Sequence, residues 1–567
     1  MNQRWSDWLT AARIDPELLW PNVPAASRTL WHARLYPIAA NRDESLALSL
    51  PLQDPVHAPA EWRAKWEAST RLSMAASFVG ADSQRILSGL AQIEDLVAAR
   101  HFYAAIQDQQ PAAAARSLIG SVRSNIARRS ALIDAWLAQA DPILQLRGYE
   151  ALAVAGEQPA WEDRAFTILA QLIETSVHEQ TRAQTQAVQL GHGCSVQVKA
   201  AARIDFGGGW TDTPPYSIEQ GGLVLNAAIT LRGVYPIVAE AVWLDEPRLI
   251  LESPDIEARF EPASVGELLS YANPADPFAL QKAALVLKGV VPPDLDPGLP
   301  VRDLCQQLGG GLKLITRTSI PRGSGLGTSS IMAGAVLKCL SQMIGLETTP
   351  AQLFDEVLCL EQMLTTGGGW QDQVGGLWGG LKLVSTTPGL PQQIQVEMIQ
   401  LSPEIKVELA SRLVLVYTGR QRLAKNLLRS VMGRWMARDP EMVWIQQEIA
   451  RLAVMMREAL AANDVSRCGE LLSEHWVINK RMDPGCTNEF IDHLFEVMRP
   501  HINGAKLAGA GGGGFAIVVA RSAAAVRDLA AALKAHYDGT PVEIWDCDMP
   551  EAGMLVHALT PGAVDRV

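Results

Sequence analysis

The sequence predicts an α+β protein in which an all-helical region over residues 1–190 precedes two αβ lobes, 191–395 and 396–567. Three observations support that division. Apolar residues recur at helical spacing through the first third. Short β-branched runs replace them from about Cys194, and three glycine-rich segments, at Arg203, Pro321 and Lys506, punctuate the remainder.

The first region is rich in Ala, Leu, Gln, Glu and Arg. Ile86, Leu87, Leu90, Ile93 and Val97 fall on one helix face, as do Phe166, Leu169, Leu172, Ile173 and Val177. The piece LWHARLYPI, Leu30 to Ile38, is expected to be extended and packed, because Pro37 disfavours helix at Tyr36. Strands are predicted at CSVQVKAAARIDF, LVLNAAITL, GVYPIVAEAV, RLILES, GLKLITRTSI, GGLWGGLKLV, RLVLVYTG and FAIVVA. Helices are predicted over 332–345, 350–364 and, as a pair, 441–482, where Met455 and Met456 read as core filler. TTPGLPQQ marks a loop between the lobes near 388–405. No internal repeat or low-complexity tract interrupts this order.

Composition narrows the function. With 48% hydrophobic and 19% charged residues, the 567-residue chain has the make-up of an ordinary globular protein. Its 61 acidic against 49 basic side chains, net −12, argue against a general nucleic-acid surface, so any phosphate site must gather positive charge locally. Seven scattered cysteines without CxxC spacing suggest neither a disulfide framework nor a zinc site, and fit a reducing cytoplasm. Asp7, Asp15 and Glu17 interrupt what a signal peptide would need, and no segment reaches about 18 apolar residues. A cytoplasmic protein without a membrane partner is expected. His475, His493 and His501, at loose spacing, read as ordinary surface or core histidines.

The glycine segments point to a phosphate. Glycines 323, 325 and 327 let backbone N–H groups approach an anion, and Thr328, Ser329 and Ser330 open a helix whose N-terminus would face it. There is no G-x-x-x-x-G-K-[ST], nor a G-x-G-x-x-G opening a βαβ unit, so neither a P-loop nor a dinucleotide-binding fold is supported.

PRGSGLGTSS resembles the phosphate loop of the GHMP kinase superfamily, and RIDFGGGWTD and KLAGAGGGGF resemble its first and third motifs. The resemblance covers roughly 194–560. Within the superfamily, GGWTDTPP, GGGWQDQVGG and INKRMDPGCTN are most similar to the L-fucokinase branch. The first 190 residues resemble the helical connector that precedes the kinase half of bifunctional L-fucokinase/L-fucose-1-phosphate guanylyltransferases. No guanylyltransferase signature is found upstream, so either the connector accompanies a fucokinase or the chain is the C-terminal part of a longer enzyme.

The resemblance implies a two-lobed GHMP kinase fold, ATP and Mg²⁺ as cofactors, and a role for each matching residue. Pro321, Gly323, Ser324, Gly325, Leu326, Gly327, Thr328, Ser329 and Ser330 would hold ATP, with Ser329 and Glu361 on the metal. Asp372 would be the base and Arg203 the basic residue beside it. An ordinary aspartate is a weak base for a sugar hydroxyl, so a nearby cation would have to stabilise the developing alkoxide. Asp212, nine positions after Arg203, would grip sugar hydroxyls with Thr211, and Gly511 and Gly512 would close over the substrate from the third loop. Gly209 and Trp210 replace the Glu-His pair of galactokinases, and a flat Trp210 suits the CH and methyl faces of a 6-deoxy sugar. Arg420, Arg422 and Lys425 form a candidate collar for an anionic product.

The expected activity is ATP-dependent phosphorylation of the anomeric hydroxyl of L-fucose, feeding GDP-fucose salvage. The alternatives are another sugar kinase of this fold, acting on a heptose phosphate or arabinose, and an inactive sensor of sugar and ATP. The expected partners are the small-molecule sugar and ATP, with a guanylyltransferase partner or domain upstream and a homo-oligomer left open.

Overall fold

The computed structural model describes residues 5–53, 56–80, 82–110, 113–114, 125–156, 159–178, 188–273, 275–364, 368–420 and 425–559. By compactness the chain separates into two units, Met1–Ala98 with Gly120–Arg129, and Ala99–Ile119 with Ser130–Val567. The sequence-based division at 190 and 395 follows lobes instead.

The smaller unit is helical with one antiparallel pair, β1 (Arg34–Pro37) and β2 (Arg71–Ser73). Its core gathers Leu19, Trp20, Trp62 and Trp66, and the Arg71 guanidinium lies 4.3 Å from the Trp66 ring centroid. LWHARLYPI is extended only from Arg34. Leu30, Trp31, Tyr36 and Ile38 are exposed, because a two-stranded ribbon covers one side of a four-residue strand and leaves the other to solvent. The helix Ser83–Gln107 likewise departs from its expected face: Leu87, Leu90, Ile93 and Val97 are exposed, and its inward positions include Asp95, Ala99, Phe102 and Ile106. The apolar stripe carrying the aromatic begins beyond Val97 and decides the orientation.

In the larger unit, the helix Ile126–Leu137 from Ser130 onward and the helices Pro142–Gly156 and Pro159–His178 bury Leu137, Tyr149, Leu152, Leu169 and Ile173 in one cluster with Ile218, Met432 and Met436. The side chain of Val177 lies outside the described residues. Two sheets follow. The first has six strands in the order β16 (Met554–Leu559), β3 (Ser195–Ala200), β6 (Ile237–Leu244), β9 (Gly311–Thr318), β7 (Leu249–Ser253) and β8 (Ala258–Phe260), antiparallel except for β7 beside β9. The second has eight: β11 (Ile394–Met398), β10 (Leu381–Thr386), β5 (Leu223–Leu231), β15 (Glu543–Asp548), β12 (Leu413–Tyr417), β14 (Phe515–Ala520) and β13 (Ile502–Leu507), with β4 (Ala202–Gly207) also paired to β5. The last two strands therefore complete sheets begun by the first lobe, β15 beside β5 and β16 beside β3.

GGLWGGLKLV does not form one strand. Its first half ends the helix Gln371–Leu377, and β10 begins at Leu381. The turn between them is held by Lys382, fully buried, whose Nζ donates to the carbonyls of Trp378 at 2.8 Å, Gly375 at 2.9 Å and Gly380 at 3.2 Å. Gly375 and Trp378 lie at the helix end, where carbonyls run out of intrahelical donors, while Gly380 O also accepts from Ala228 N at 3.1 Å. β4, this helix, the glycine loop before the helix Thr328–Met343, the β13–β14 loop and the helix Val465–Met482 all contribute residues to one pocket.

Candidate active site

Strand alternation builds the floor of the site. Ala202, Ile204 and Phe206 face the core, which turns Arg203 and Asp205 together to the other side of β4. The Arg203 guanidinium donates from Nε to Asp372 Oδ1 at 2.7 Å, and from Nη1 to Gly325 O at 2.9 Å and Asp205 Oδ1 at 3.3 Å. Asp205 Oδ2 in turn accepts from Lys506 Nζ of β13, which is fully buried. Asp372, Arg203, Asp205 and Lys506 thus form one alternating chain of charge. Removing one member of a buried pair leaves the other uncompensated, at roughly 3–5 kcal/mol.

The second glycine segment bends over this chain. Gly325 and Gly327 hold φ of 77° and 75°, the left-handed region. A Cβ at Gly325 would lie 2.5 Å from Ala508 O, and one at Gly327 would lie 3.1 Å from Arg203 Cγ and 3.2 Å from Asp372 Cβ. Gly327 caps the 16-residue helix Thr328–Met343, whose first N–H groups and positive dipole end open from the same turn. Leu326 and Ser324 are buried and anchor the loop: Leu326 O accepts from Arg203 N at 3.2 Å, and Ser324 O accepts from Phe515 N at 3.1 Å. Pro321, Gly323 and Thr328 retain exposure, and Ser329 is exposed. Ser330 is buried, its hydroxyl donating to Glu361 Oε1.

Opposite lies Asp212, 1% exposed. Its Oδ1 accepts from Trp210 N at 3.0 Å and its Oδ2 from Gln371 N at 3.1 Å. Trp210 holds φ of 93°, a conformation that a bulky side chain adopts only under constraint from its surroundings. Gly369 passes so close that any Cβ there would overlap Asp212 Oδ2. Arg203, Asp205, Trp210, Asp212, Thr213, Gln371, Asp372, His475 and Asn479, with backbone of Gly325, Gly327, Gly509 and Ala510, enclose a pocket of about 220 Å³.

Family models match on both sides of this pocket: "GHMP kinases N terminal domain" over residues 300–380 and "GHMP kinases C terminal" over 456–539. Residues 300–380 and 456–539 are thus similar to the two domains of GHMP kinases. Among curated relatives, a bifunctional fucokinase/GDP-fucose pyrophosphorylase of Arabidopsis thaliana is 39% identical over 343 residues, 60% of this chain and 31% of that protein. An L-fucokinase/L-fucose-1-P guanylyltransferase of Bacteroides fragilis is 35% identical over 58% of this chain and 35% of its own length. A D-glycero-alpha-D-manno-heptose 7-phosphate kinase of Campylobacter jejuni is 25% identical over 57% of this chain and 88% of its own. The chain spans about a third of the length of the first two relatives.

Burial sets the electrostatics of this pocket. It pushes the Asp212 carboxyl up to about 7, with the charge of Asp372 adding to the effect and the N–H groups of Gln371 and Trp210 opposing it. Burial likewise pushes Glu361 up to about 8, against the Ser330 hydroxyl and with Asp372 and Asp212. For Asp205, burial is outweighed by Lys506 and Arg203, which hold its carboxyl below the usual range.

Several expected contacts are replaced. Thr211 is fully buried, its hydroxyl set between the carbonyls of Gly208 at 2.7 Å and Leu223 at 2.9 Å, so Thr213 reaches the pocket in its place. Gly511 and Gly512 turn against Cys486, whose carbonyl accepts from Gly512 N at 2.5 Å, and Gly509 and Ala510 line the pocket instead. Glu361 meets Ser330 rather than Ser329, because the helix turns the two serines about 100° apart. Arg420 lies 4.6 Å from the Phe490 ring centroid and not in the pocket lining. Arg422 and the Lys425 side chain lie outside the described residues.

Asp205, Gln371, His475 and Asn479 were not singled out by the motifs. Asp205 had a signal, its place two residues after Arg203 on a strand; the i, i+4 spacing of His475 and Asn479 on a helix was a weaker one. Among the described residues no group of three His, Cys, Asp or Glu could hold a metal unaided, and no helix is long and apolar enough to cross a membrane.

Proposed function

We propose that the chain is an ATP-dependent sugar 1-kinase that converts L-fucose and ATP to L-fucose 1-phosphate and ADP. One observation carries this reading: the Arg203–Asp372 pair faces the buried Asp212 across a pocket that opens at the turn of the glycine loop. In-line attack of the anomeric oxygen on the γ-phosphorus forms the new P–O bond while the bond to the β-phosphate oxygen breaks, its electron pair leaving with ADP and the hydroxyl proton passing to Asp372. Arg203 orients Asp372 and balances its charge. The lone pairs of Asp212 not used by backbone N–H groups accept from sugar hydroxyls, and the Trp210 ring packs a CH or methyl face.

The loop fits a triphosphate. Gly325 and Gly327 sit where a Cβ would crowd the floor, leaving backbone and the helix N-terminus to meet the anion. Ser329, in the first turn of the helix Thr328–Met343, and the buried Glu361 are the protein groups that would hold Mg²⁺. When bound it would offset phosphate charge.

Charge pairing favours a neutral sugar. The cations lining or backing the pocket, Arg203 and Lys506, are committed to Asp372 and Asp205, leaving no spare cation among the described lining residues for a second phosphate. The stronger similarity to fucokinases than to the heptose 7-phosphate kinase points the same way. In the bifunctional relatives a guanylyltransferase activity accompanies the kinase, and a partner or further domain of that kind is part of the proposal. The test is turnover of free and phosphorylated sugars with MgATP. L-Fucose should react fastest; an inert fucose beside a reactive heptose phosphate overturns the assignment, and binding of sugar and ATP without turnover would favour a sensor.

A further inference from the structure

The helix Val465–Met482 buries an almost wholly apolar face, Cys468, Leu471, Leu472, Ile478 and Met482, interrupted by two polar residues one turn apart, His475 and Asn479. Both line the pocket. His475 is fully buried and Asn479 is 5% exposed. Among the described residues, neither ring nitrogen of His475 nor the amide oxygen of Asn479 has a hydrogen-bond partner outside this pair, whose side chains interact with each other. Buried polar atoms are nearly always fully satisfied, so a buried polar pair with no outside partner, lining one pocket, marks a place where a ligand completes the bonding.

The ligand's chemistry follows from the ring's state. Burial and the nearby Lys506 charge push His475 down to about 3, with Asp205 opposing, so the imidazole stays neutral with one donor and one acceptor nitrogen. Asn479 adds an acceptor. A hydroxyl, which both donates and accepts, can pair with the ring donor and one acceptor, and a neighbouring sugar hydroxyl can donate to the other. A carboxylate or phosphate, which only accepts, would meet two acceptors.

We propose that His475 and Asn479 bind a hydroxyl of the neutral sugar from the C-terminal lobe and so help determine which sugar the enzyme accepts. This rests on the sugar-kinase reading above. The experiment compares wild type, Asn479→Leu and His475→Gln on L-fucose and its monodeoxy analogues, measuring sugar and ATP KM, kcat and Tm. Asn479→Leu removes a buried polar group from an apolar face, so its Tm should hold or rise while sugar KM climbs on the order of 10- to 100-fold and ATP KM stays within twofold. One deoxy analogue should be poor for wild type yet no worse for the variants than fucose is. His475→Gln, which keeps a donor and an acceptor, should retain more activity than His475→Leu. Folded variants with unchanged sugar KM on a wild type that phosphorylates fucose overturn this inference alone. A wild type that neither binds nor phosphorylates any neutral sugar overturns the kinase reading and this inference with it.

Discussion

Arg203 Nε donates to Asp372 Oδ1 at 2.7 Å although 169 residues of chain separate them. The pair joins the first strand of the pocket to the helix that begins at Gln371, and Gly327 is packed against both side chains. If Asp372 takes the substrate proton, Asp372→Ala should lower kcat by roughly 10²–10⁴-fold while ATP binding, measured by titration calorimetry, changes little. Unaltered turnover would remove Asp372 from the reaction.

Gly369 tests the placement of Asp212. A methyl group there overlaps Asp212 Oδ2, so the carboxylate must move. Gly369→Ala should raise sugar KM by about tenfold or more through a misplaced hydroxyl acceptor, with ATP KM nearly constant. Equal rises in both constants would mean a general distortion instead.

Lys382 ties down the far end of the helix that carries Asp372. Lys382→Met removes the lysine donor from three carbonyls, of which Gly380 O keeps Ala228 N, and should destabilise the fold by about 2–4 kcal/mol, read as a fall in denaturant midpoint. Because the helix loses its anchor, kcat should fall more than sugar KM changes. A fully stable Lys382→Met protein would show that water replaces the ammonium without loss.

The raised carboxyls make stability pH-dependent in a defined direction. Asp212 titrates near 7 and Glu361 near 8 in the folded chain, against ordinary values near 4. Protons are held more tightly folded than unfolded, so this contribution is full at low pH and is lost as pH rises through about 7–8. Without nucleotide, Tm should fall between pH 6 and 9, and Glu361→Gln should flatten that slope. A slope unchanged by Glu361→Gln would show that Glu361 is ionised throughout.

How much of the site was legible depended on the kind of contact. Resemblance to the GHMP kinase motifs implied Arg203, Asp212, Asp372 and the 321–330 loop, and glycines stand close to each of them in sequence. The loop residues that face the pocket were harder to read. Nothing local distinguishes Gly509 from Gly511, and which of them lines the pocket depends on where Cys486, 25 residues earlier in sequence, packs. Lys506 opens the third glycine segment, and nothing local pairs it with Asp205, 301 residues away.

By itself, the sequence determined the alternation of helices and strands, the order of the three glycine segments and the side of β4 on which Arg203 and Asp205 stand, because backbone geometry converts local pattern directly into facing. Only the tertiary structure decided which charges neutralise one another, which serine meets Glu361, and that His475 and Asn479 share a pocket with Asp212. Those are long-range pairings, settled when sheets and helices bury polar groups that must then find partners wherever the chain brings them.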